Sequence, residues 1–442
     1  MRPLSRRQAL TLAAGAAAAV AAAGPATARP PAPQTVAPLP AGFRWGVASA
    51  GFQCEGHAPD SNWLRYADRN PAFDRYGDSV DFFGRYRDDI ALAAGLGVGV
   101  YRISIEWARV QPRPGEWDEN GFAFYDRVLD AMAAAGLQPM LTLDHWVYPG
   151  WVADYGGWAN PAMVDDWLAH ARVVVDRYAS RNPLWVTVNE PFGYIMNETR
   201  NGGVPAASVP AMRDGIIAVH NGIYDYIHQV QPGAWVTTNV PFMAGGAEPL
   251  INTTVTDAVA ARMDYVGIDY YYGFTPQQLL TVSPDDLQQL WNMPLQPEGI
   301  YYALDFYARR YPGKPLYIVE GGIPTHDGAP RADGITRADA LRDSVYWIQR
   351  AVADGIPVAG YNYWSLTDNY EWGSYAPRFG LYTVDVTTDP TLTRRPTDAV
   401  AAYTEITAAG GVPAGYRPTL APVACSMSET PQSCLDPVTL PG

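Results

Sequence analysis

The sequence predicts an α/β fold, a single-domain (β/α)8 (TIM) barrel, and three observations carry that prediction. Eight short apolar, β-rich runs alternate with helical patterns along the 442-residue chain. That order builds a parallel sheet with helices outside it. Glycines stand between helical stretches and the strands that follow, at Gly95, Gly136 and Gly355, where helix stops belong. No phosphate-binding glycine-rich turn follows the first strand, which speaks against an open, doubly wound sheet. The closely spaced glycines of Gly95-Leu96-Gly97-Val98-Gly99 follow a helix and enter a strand, the wrong context for a dinucleotide site.

Taken in order, residues 1–28 come first. Ser5-Arg6-Arg7-Gln8-Ala9-Leu10 precedes an Ala-rich run that ends near Ala26-Thr27-Ala28. Paired arginines, a mildly apolar segment and a small-residue cleavage pattern resemble a twin-arginine signal peptide, so a secreted, extracytoplasmic location is expected. The alternative is an uncleaved membrane anchor, which a short Ala-rich stretch serves poorly. Residues 29–40 read as a flexible Pro/Ala-rich lead-in, residues 41–410 as the barrel, and residues 411–442 as a Pro-rich tail lying over or beyond it.

Strands are expected near Phe43–Ser49, Val98–Ile105, Gln138–His145, Leu184–Asn189, Trp235–Val240, Tyr265–Tyr271, Leu316–Glu320 and Ala359–Ser365. Helices are expected near Asp81–Ala94, Gly121–Ala135, Pro161–Tyr178, Met212–Gln231, Thr254–Ala261, Gly299–Tyr311, Arg337–Asp354 and Thr397–Ala408. Leu129, Met132 and Ala133 illustrate the spacing of one helix face.

Composition narrows the function. A 48% hydrophobic and 17% charged chain fills a large core and is not disordered. Its net charge of −14 argues against nucleic acid and against anionic membranes as partners, because both need basic patches. The 14 Trp, 28 Tyr and 12 Phe suit either ordinary core packing or a sugar cleft, since sugar C–H faces stack on flat rings. Three cysteines are present. Cys425 and Cys434 lie in the tail and can pair after export. Cys54 has no activating base beside it and reads as a buried free thiol. No Cys/His cluster has metal-ligand spacing, so no metal is expected.

Barrel enzymes gather their chemistry at the C-terminal ends of the strands. The third strand ends in Asp144-His145-Trp146, the fourth in Asn189-Glu190-Pro191, the seventh in Val319-Glu320-Gly321, and the eighth in Trp364-Ser365-Leu366. Glu190 and Glu320 directly end apolar strands, where a carboxylate is costly to bury without partners. Each alone could be a salt-bridged or capping glutamate. Two of them across one barrel mouth match what glycosidic-bond cleavage requires: one group to protonate the leaving oxygen, the other to attack the anomeric carbon or activate water.

These residues lie in ordered motifs that resemble glycoside hydrolase family 1, the β-glucosidase family, over residues 43–408. Phe43-Arg44-Trp45-Gly46-Val47-Ala48-Ser49-Ala50 through Gln53-Cys54-Glu55-Gly56 is similar to the family's N-terminal signature, which implies that Gln53 binds sugar hydroxyls. Tyr101-Arg102-Ile103-Ser104-Ile105 resembles its second-strand motif, which sets Arg102 beside the nucleophile as support. Thr142-Leu143-Asp144-His145-Trp146 resembles the segment that contacts sugar through His145 and Trp146, with no role for Asp144. Thr187-Val188-Asn189-Glu190-Pro191 implies that Asn189 bonds the 2-hydroxyl and that Glu190 is the acid/base. Gly360-Tyr361-Asn362-Tyr363-Trp364-Ser365-Leu366 and Asp368-Asn369-Tyr370-Glu371-Trp372 match the glycone platform, with Trp364 under the sugar and Glu371 and Trp372 on its remote hydroxyls.

Two motifs depart from the family. Ile318-Val319-Glu320-Gly321-Gly322 stands where Thr-Glu-Asn-Gly is usual; the resemblance still makes Glu320 the nucleophile, in altered surroundings. Gly267-Ile268-Asp269-Tyr270-Tyr271 carries Asp269 in place of the usual Asn, while Tyr271 matches a tyrosine that touches the nucleophile.

The resemblance therefore implies a retaining β-glycosidase acting by double displacement, with no metal or organic cofactor. Its partner would be a small-molecule or oligosaccharide β-glycoside, unphosphorylated because Glu371 would repel a phosphate. Only 130 positions separate Glu190 from Glu320. Trimmed loops after the fourth to sixth strands would open the aglycone side to a bulky leaving group. Transglycosylation, an endo-acting relative and a non-catalytic sugar-binding member of the fold are the alternatives.

Overall fold

The computed structural model describes residues 36–242, 252–273 and 289–422. Eight strands close into a barrel with every neighbouring pair parallel. They are β1 (Arg44–Ala48), β2 (Val100–Ser104), β3 (Gln138–Asp144), β4 (Leu184–Asn189), β5 (Trp235–Pro241), β6 (Val266–Asp269), β7 (Leu316–Gly321) and β8 (Val358–Trp364). Each matches its expected run to within two residues at either end.

Among the described residues, the eight outer helices are α1 (Phe82–Gly95), α2 (Glu119–Ala134), α3 (Ala162–Tyr178), α4 (Val209–Val230), α5 (Thr253–Val259), α6 (Gly299–Arg310), α7 (Arg337–Ala353) and α8 (Asp398–Ala409). Their ends follow local chemistry. Asp81 and Asp118 cap α1 and α2 by accepting from Gly84 N and Asn120 N, and Thr336 and Asp339 form a capping box on α7. Gly136 and Gly355 take φ of 75° and 87° just beyond α2 and α7, as helix stops do. Gly95 does not. It belongs to the last turn of α1, and the left-handed residue is Gly97, at φ 74°.

Short helices at the barrel mouth were not foreseen: Gly51–Cys54, Asn62–Arg69, Trp107–Val110, Gly150–Asp154 and Pro191–Asn201. The longest, Pro191–Asn201, opens with proline in its first turn, where the missing N–H costs nothing.

Packing is of two kinds. A large apolar layer fills the space between sheet and helices. Val100, Met140, Leu184, Val186, Tyr265, Tyr317 and Val319 make a smaller cluster on the strands. The barrel is thus a packed core whose polar groups collect at one mouth.

The N-terminal boundary differs from the expected one. Residues 36–40 are not a loose lead-in: Val36 and Leu39 are buried, and Leu39 N donates to Gly410 O at 2.7 Å. At the other end, Asp343 accepts from Tyr416 OH at 2.6 Å and Leu420 N at 2.8 Å, which lays residues 411–420 over α7. The signal segment 1–28 and the pair Cys425 and Cys434 lie outside the described residues. Cys54 is a buried free thiol, and burial pushes its pKa well up. Among the described residues no helix is long and apolar enough to cross a membrane.

Candidate active site

Strand register assembles the site. Asn189 at the end of β4 pairs with Asn239 on β5, and Asp269 at the end of β6 pairs with Glu320 on β7. Both pairings carry a local register irregularity, so the ladder breaks where the polar residues turn into the mouth. Glu190, Asp269 and Glu320 each place one carboxylate oxygen within 4.8 Å of the other two.

The two glutamates sit in opposite surroundings. Glu320 is 4% exposed and partnered on both oxygens. Arg102 donates to Oε1, and Tyr271 OH donates to Oε2 at 2.6 Å. Arg102 is itself fixed: its Nε donates to Thr142 Oγ1 at 2.9 Å and its Nη2 to Asn189 Oδ1 at 2.6 Å. The expected neighbours of Glu320 are therefore present, although Gly321 and Gly322 follow it. At Gly322 a Cβ would lie 2.1 Å from Trp364 O, so only glycine lets β7 pass the end of β8 that closely.

Glu190 is half-buried and holds a left-handed φ of 38°, rare for a side chain with a Cβ. Burial pushes its pKa up to about 8, and the Glu320 charge adds to the rise; a hydrogen bond with Asp269 and the Arg102 charge oppose it. Gly193, one turn on, leaves room for it. A Cβ there would meet Trp146 at 2.7 Å and Glu190 Oε2 at 2.9 Å. The site thus holds one glutamate clamped by donors and one kept protonated near neutrality.

The remaining expected residues touch one another in one connected cluster. Gln53 is fully buried, and its Nε2 donates to Asn369 Oδ1 and Glu371 Oε2, both at 3.2 Å. Trp364 Nε1 donates to Glu371 Oε1 at 3.1 Å. Burial lifts Glu371 to about 8, against the pull of the Trp364 bond. The His145 ring lies nearly parallel to Trp364 and to Trp372, with centroids 5.9 Å away in each case. Burial holds its imidazole well below the usual range, so it is neutral. Gln53 Oε1 and His145 Nδ1 are buried with no hydrogen-bond partner among the described residues, an unusual state for polar atoms. Asn189 Oδ1 is taken by Arg102 and by Asn239 Nδ2 at 2.7 Å, which leaves the amide N–H groups to offer to a ligand. Trp146, at φ 72°, stacks on Trp372 at 4.7 Å and donates to Asn189 O at 2.8 Å.

Sequence reasoning missed the supports. Asp144 accepts from Trp146 N and from Trp167 Nε1, both at 2.9 Å, and so fixes the tight turn into Trp146. Glu198 lies fully buried on the helix that follows Glu190. It accepts from Asn62 Nδ2 at 3.0 Å, Tyr66 OH at 3.0 Å and Tyr148 OH at 2.7 Å, and Asn62 also donates to Trp146 O at 2.9 Å. This knot ties the Glu190 helix to the His145–Tyr148 turn. Its one sequence signal is an acidic residue seven positions after a proline in a half-apolar helix, which is too common to read.

The three-carboxylate cluster is the one group of metal-ligating side chains with suitable spacing among the described residues. Arg102 already places a cation on it.

The glycosyl hydrolase family 1 sequence model matches residues 35–226 and 219–412. The chain belongs to glycosyl hydrolase family 1. Beta-glucosidase A of Thermotoga maritima is 27% identical over 79% of this chain and 94% of its own length. A 6-phospho-beta-glucosidase of Dickeya chrysanthemi is 29% identical over 79% of this chain and 92% of its own length. Among solved structures, a beta-glycosidase from Pyrococcus horikoshii superposes with a TM-score of 0.74 at 26% identity, over 86% of this chain and 99% of that one. As a family 1 member the chain is a glycoside hydrolase of β-glucosidase-like type.

Proposed function

We propose that the protein hydrolyses unphosphorylated β-glycosides with retention, Glu320 attacking the anomeric carbon while Glu190 protonates the leaving oxygen. The observation that carries this reading is the spacing of the two carboxylates. One oxygen of each lies within 4.8 Å of the other, which fits the separation of about 5–5.5 Å between the carboxyl groups of retaining enzymes better than the roughly 6.5–9.5 Å of inverting ones. The electrostatic asymmetry supports the roles. Arg102 and Tyr271 hold Glu320 as an aimed anion. Glu190, lifted to about 8, keeps its proton for the first step. When Glu320 becomes an ester its charge disappears, the pKa of Glu190 falls, and Glu190 turns from acid to base for the attacking water.

Gln53, Asn189, Glu371 and the unpartnered Nδ1 of His145 form the hydroxyl-binding set in this reading, with Trp364, Trp372 and Trp146 as the apolar walls. Glu371, hydrogen-bonded to Gln53 and Trp364, puts an acid rather than a cation at that end of the glycone, which gives a phosphate there no counter-charge. The aglycone side is read as open to bulky leaving groups. Export through the Arg6-Arg7 segment is part of the same proposal, and fractionation with and without Arg6→Lys and Arg7→Lys tests it.

The deciding experiment pairs chemistry with stereochemistry. The initial product anomer from an aryl β-glucoside should be β, and Glu320→Gly should be inactive until azide is added, then yield the α-glycosyl azide. An initial α-product from the wild type rejects the retaining reading.

A further inference from the structure

Three carboxyls and one guanidinium share the pocket at the ends of β4, β6 and β7. Arg102 bonds Glu320, Asn189 and Thr142 through Nη1, Nη2 and Nε. Asp269 is 1% exposed. Its Oδ2 accepts from Asn239 Nδ2, while Oδ1 receives no N–H or hydroxyl donor among the described residues. The nearby groups are other carboxyls: one oxygen each of Asp269, Glu190 and Glu320 lie within 4.8 Å of one another, and Asp269 pairs in register beside Glu320. Like charges this close in a buried pocket disfavour full ionisation, so one of the carboxyls keeps a proton.

We propose that Asp269 is a positioning residue that shares a proton with Glu190, so that the pair, rather than Glu190 alone, holds the acid proton of the first step. This rests on the reading of Glu190 as acid/base. Charge counting shows what the sharing achieves. Before reaction the pocket carries two negative charges, one on Glu320 and one on the pair. Glu190 then passes the shared proton to the glycosidic oxygen while Glu320 forms its ester bond to the anomeric carbon. The pair now carries two charges and Glu320 none, so the total is unchanged. In the second step water gives a proton to the pair as its oxygen bonds the anomeric carbon, and the ester bond breaks to restore the Glu320 carboxylate.

Losing the shared proton from the resting enzyme is different, because it puts a third negative charge beside a single Arg102. With an amide at 269 the same loss makes only two. The last proton is therefore held to higher pH with aspartate there than with asparagine. The other groups facing the pair add no cation. Tyr271 stays protonated, raised by burial and by Glu320, Asp269 and Glu190. Tyr265 beneath is raised likewise by burial. His145 is neutral, and Glu371 opposes ionisation of Glu190 from the β8 side.

The test is the pH dependence of kcat/KM on an aryl β-glucoside for wild type, Asp269→Asn, Asp269→Ser and Glu190→Gln. An amide at 269 can accept from Asn239 and donate to the carboxylates, so Asp269→Asn retains the hydrogen bonding of the fold; Asp269→Ser gives a second, smaller replacement. Both should move the basic limb to lower pH, by about one pH unit or more. A limb that stays in place, or a fall of equal size at every pH, overturns the pairing. Glu190→Gln separates the two ideas. Loss of the basic limb there, with an unmoved limb in Asp269→Asn, sinks the pairing alone. Persistence of the limb in Glu190→Gln sinks the assignment of Glu190 and the pairing with it.

Discussion

The surroundings of Glu190 and of Glu320 are built from opposite materials. The Glu320 side is made of donors: a guanidinium on one oxygen, a phenol on the other, and no side chain on the two glycines that follow. The Glu190 side is made of burial, acceptors and backbone. A strained φ aims the carboxyl, Gly193 gives it room, and the Glu198 knot holds its helix. The same residue type at two strand ends thus acquires opposite surroundings, and on the Glu190 side they lift the pKa to about 8. The family-like motif is intact around Glu190 and altered around Glu320, yet it is Glu320 that has both oxygens bonded.

The largest expected effect comes from removing the clamped partner. Glu320→Gly should lower kcat on the order of 10^4-fold or more, with azide restoring activity. Glu190→Gln should cost roughly 10^2- to 10^4-fold on a glycoside with a poor leaving group and far less on a dinitrophenyl glycoside, which needs no acid. Equal losses on both substrates would erase the distinction between the two sides. In the wild type kcat/KM should fall as pH rises through about 8, because Glu190 must be protonated to act and its pKa is raised to that value.

Smaller changes probe the supports. Tyr271→Phe removes one of the two donors to Glu320, a loss of about 1 kcal/mol and hence roughly 5- to 10-fold in kcat. No change in kcat would mean that Arg102 alone aims the carboxylate. Glu198→Ala strands three buried donors and should cost about 2–4 kcal/mol in chemical denaturation.

Glu198→Gln is gentler and carries a sign. Burial raises the folded pKa of Glu198 to about 7, above its unfolded value, so the folded state binds the extra proton. The stability that this lends is fully present below the unfolded pKa of about 4.3 and is lost as pH rises to about 7. Gln does not titrate, so the fall in Tm across that window should be shallower in the variant. An unchanged slope would place the titration elsewhere, Asp144 being the other group lifted to about 7.

Much of the fold was legible because a barrel repeats one rule eight times. Apolar β-rich runs of the right length, separated by helical spacing, need no partner information, and Leu184–Asn189 is bounded as the sequence indicates. Gly95 illustrates the limit. Gly95 and Gly97 are alike in sequence, and which of them ends α1 depends on where Leu96 packs, fully buried in the core. Residues 36–40 were misread for a related reason: proline and alanine suggest looseness, but Val36 and Leu39 find a hydrophobic seat that only the closed fold supplies.

The sequence by itself determined the barrel, the strand-end placement of Glu190 and Glu320, and the ring of aromatic and amide side chains around them, because periodicity and motif are local properties. Only the tertiary structure decided how those groups are charged and held. Arg102 reaches Glu320 from 218 positions away, and Asn62 reaches Glu198 from 136. Asp269 meets Glu190 only because the barrel closes β4, β5, β6 and β7 side by side. Protonation state depends on burial and on the nearest charges, and both are set by neighbours in space.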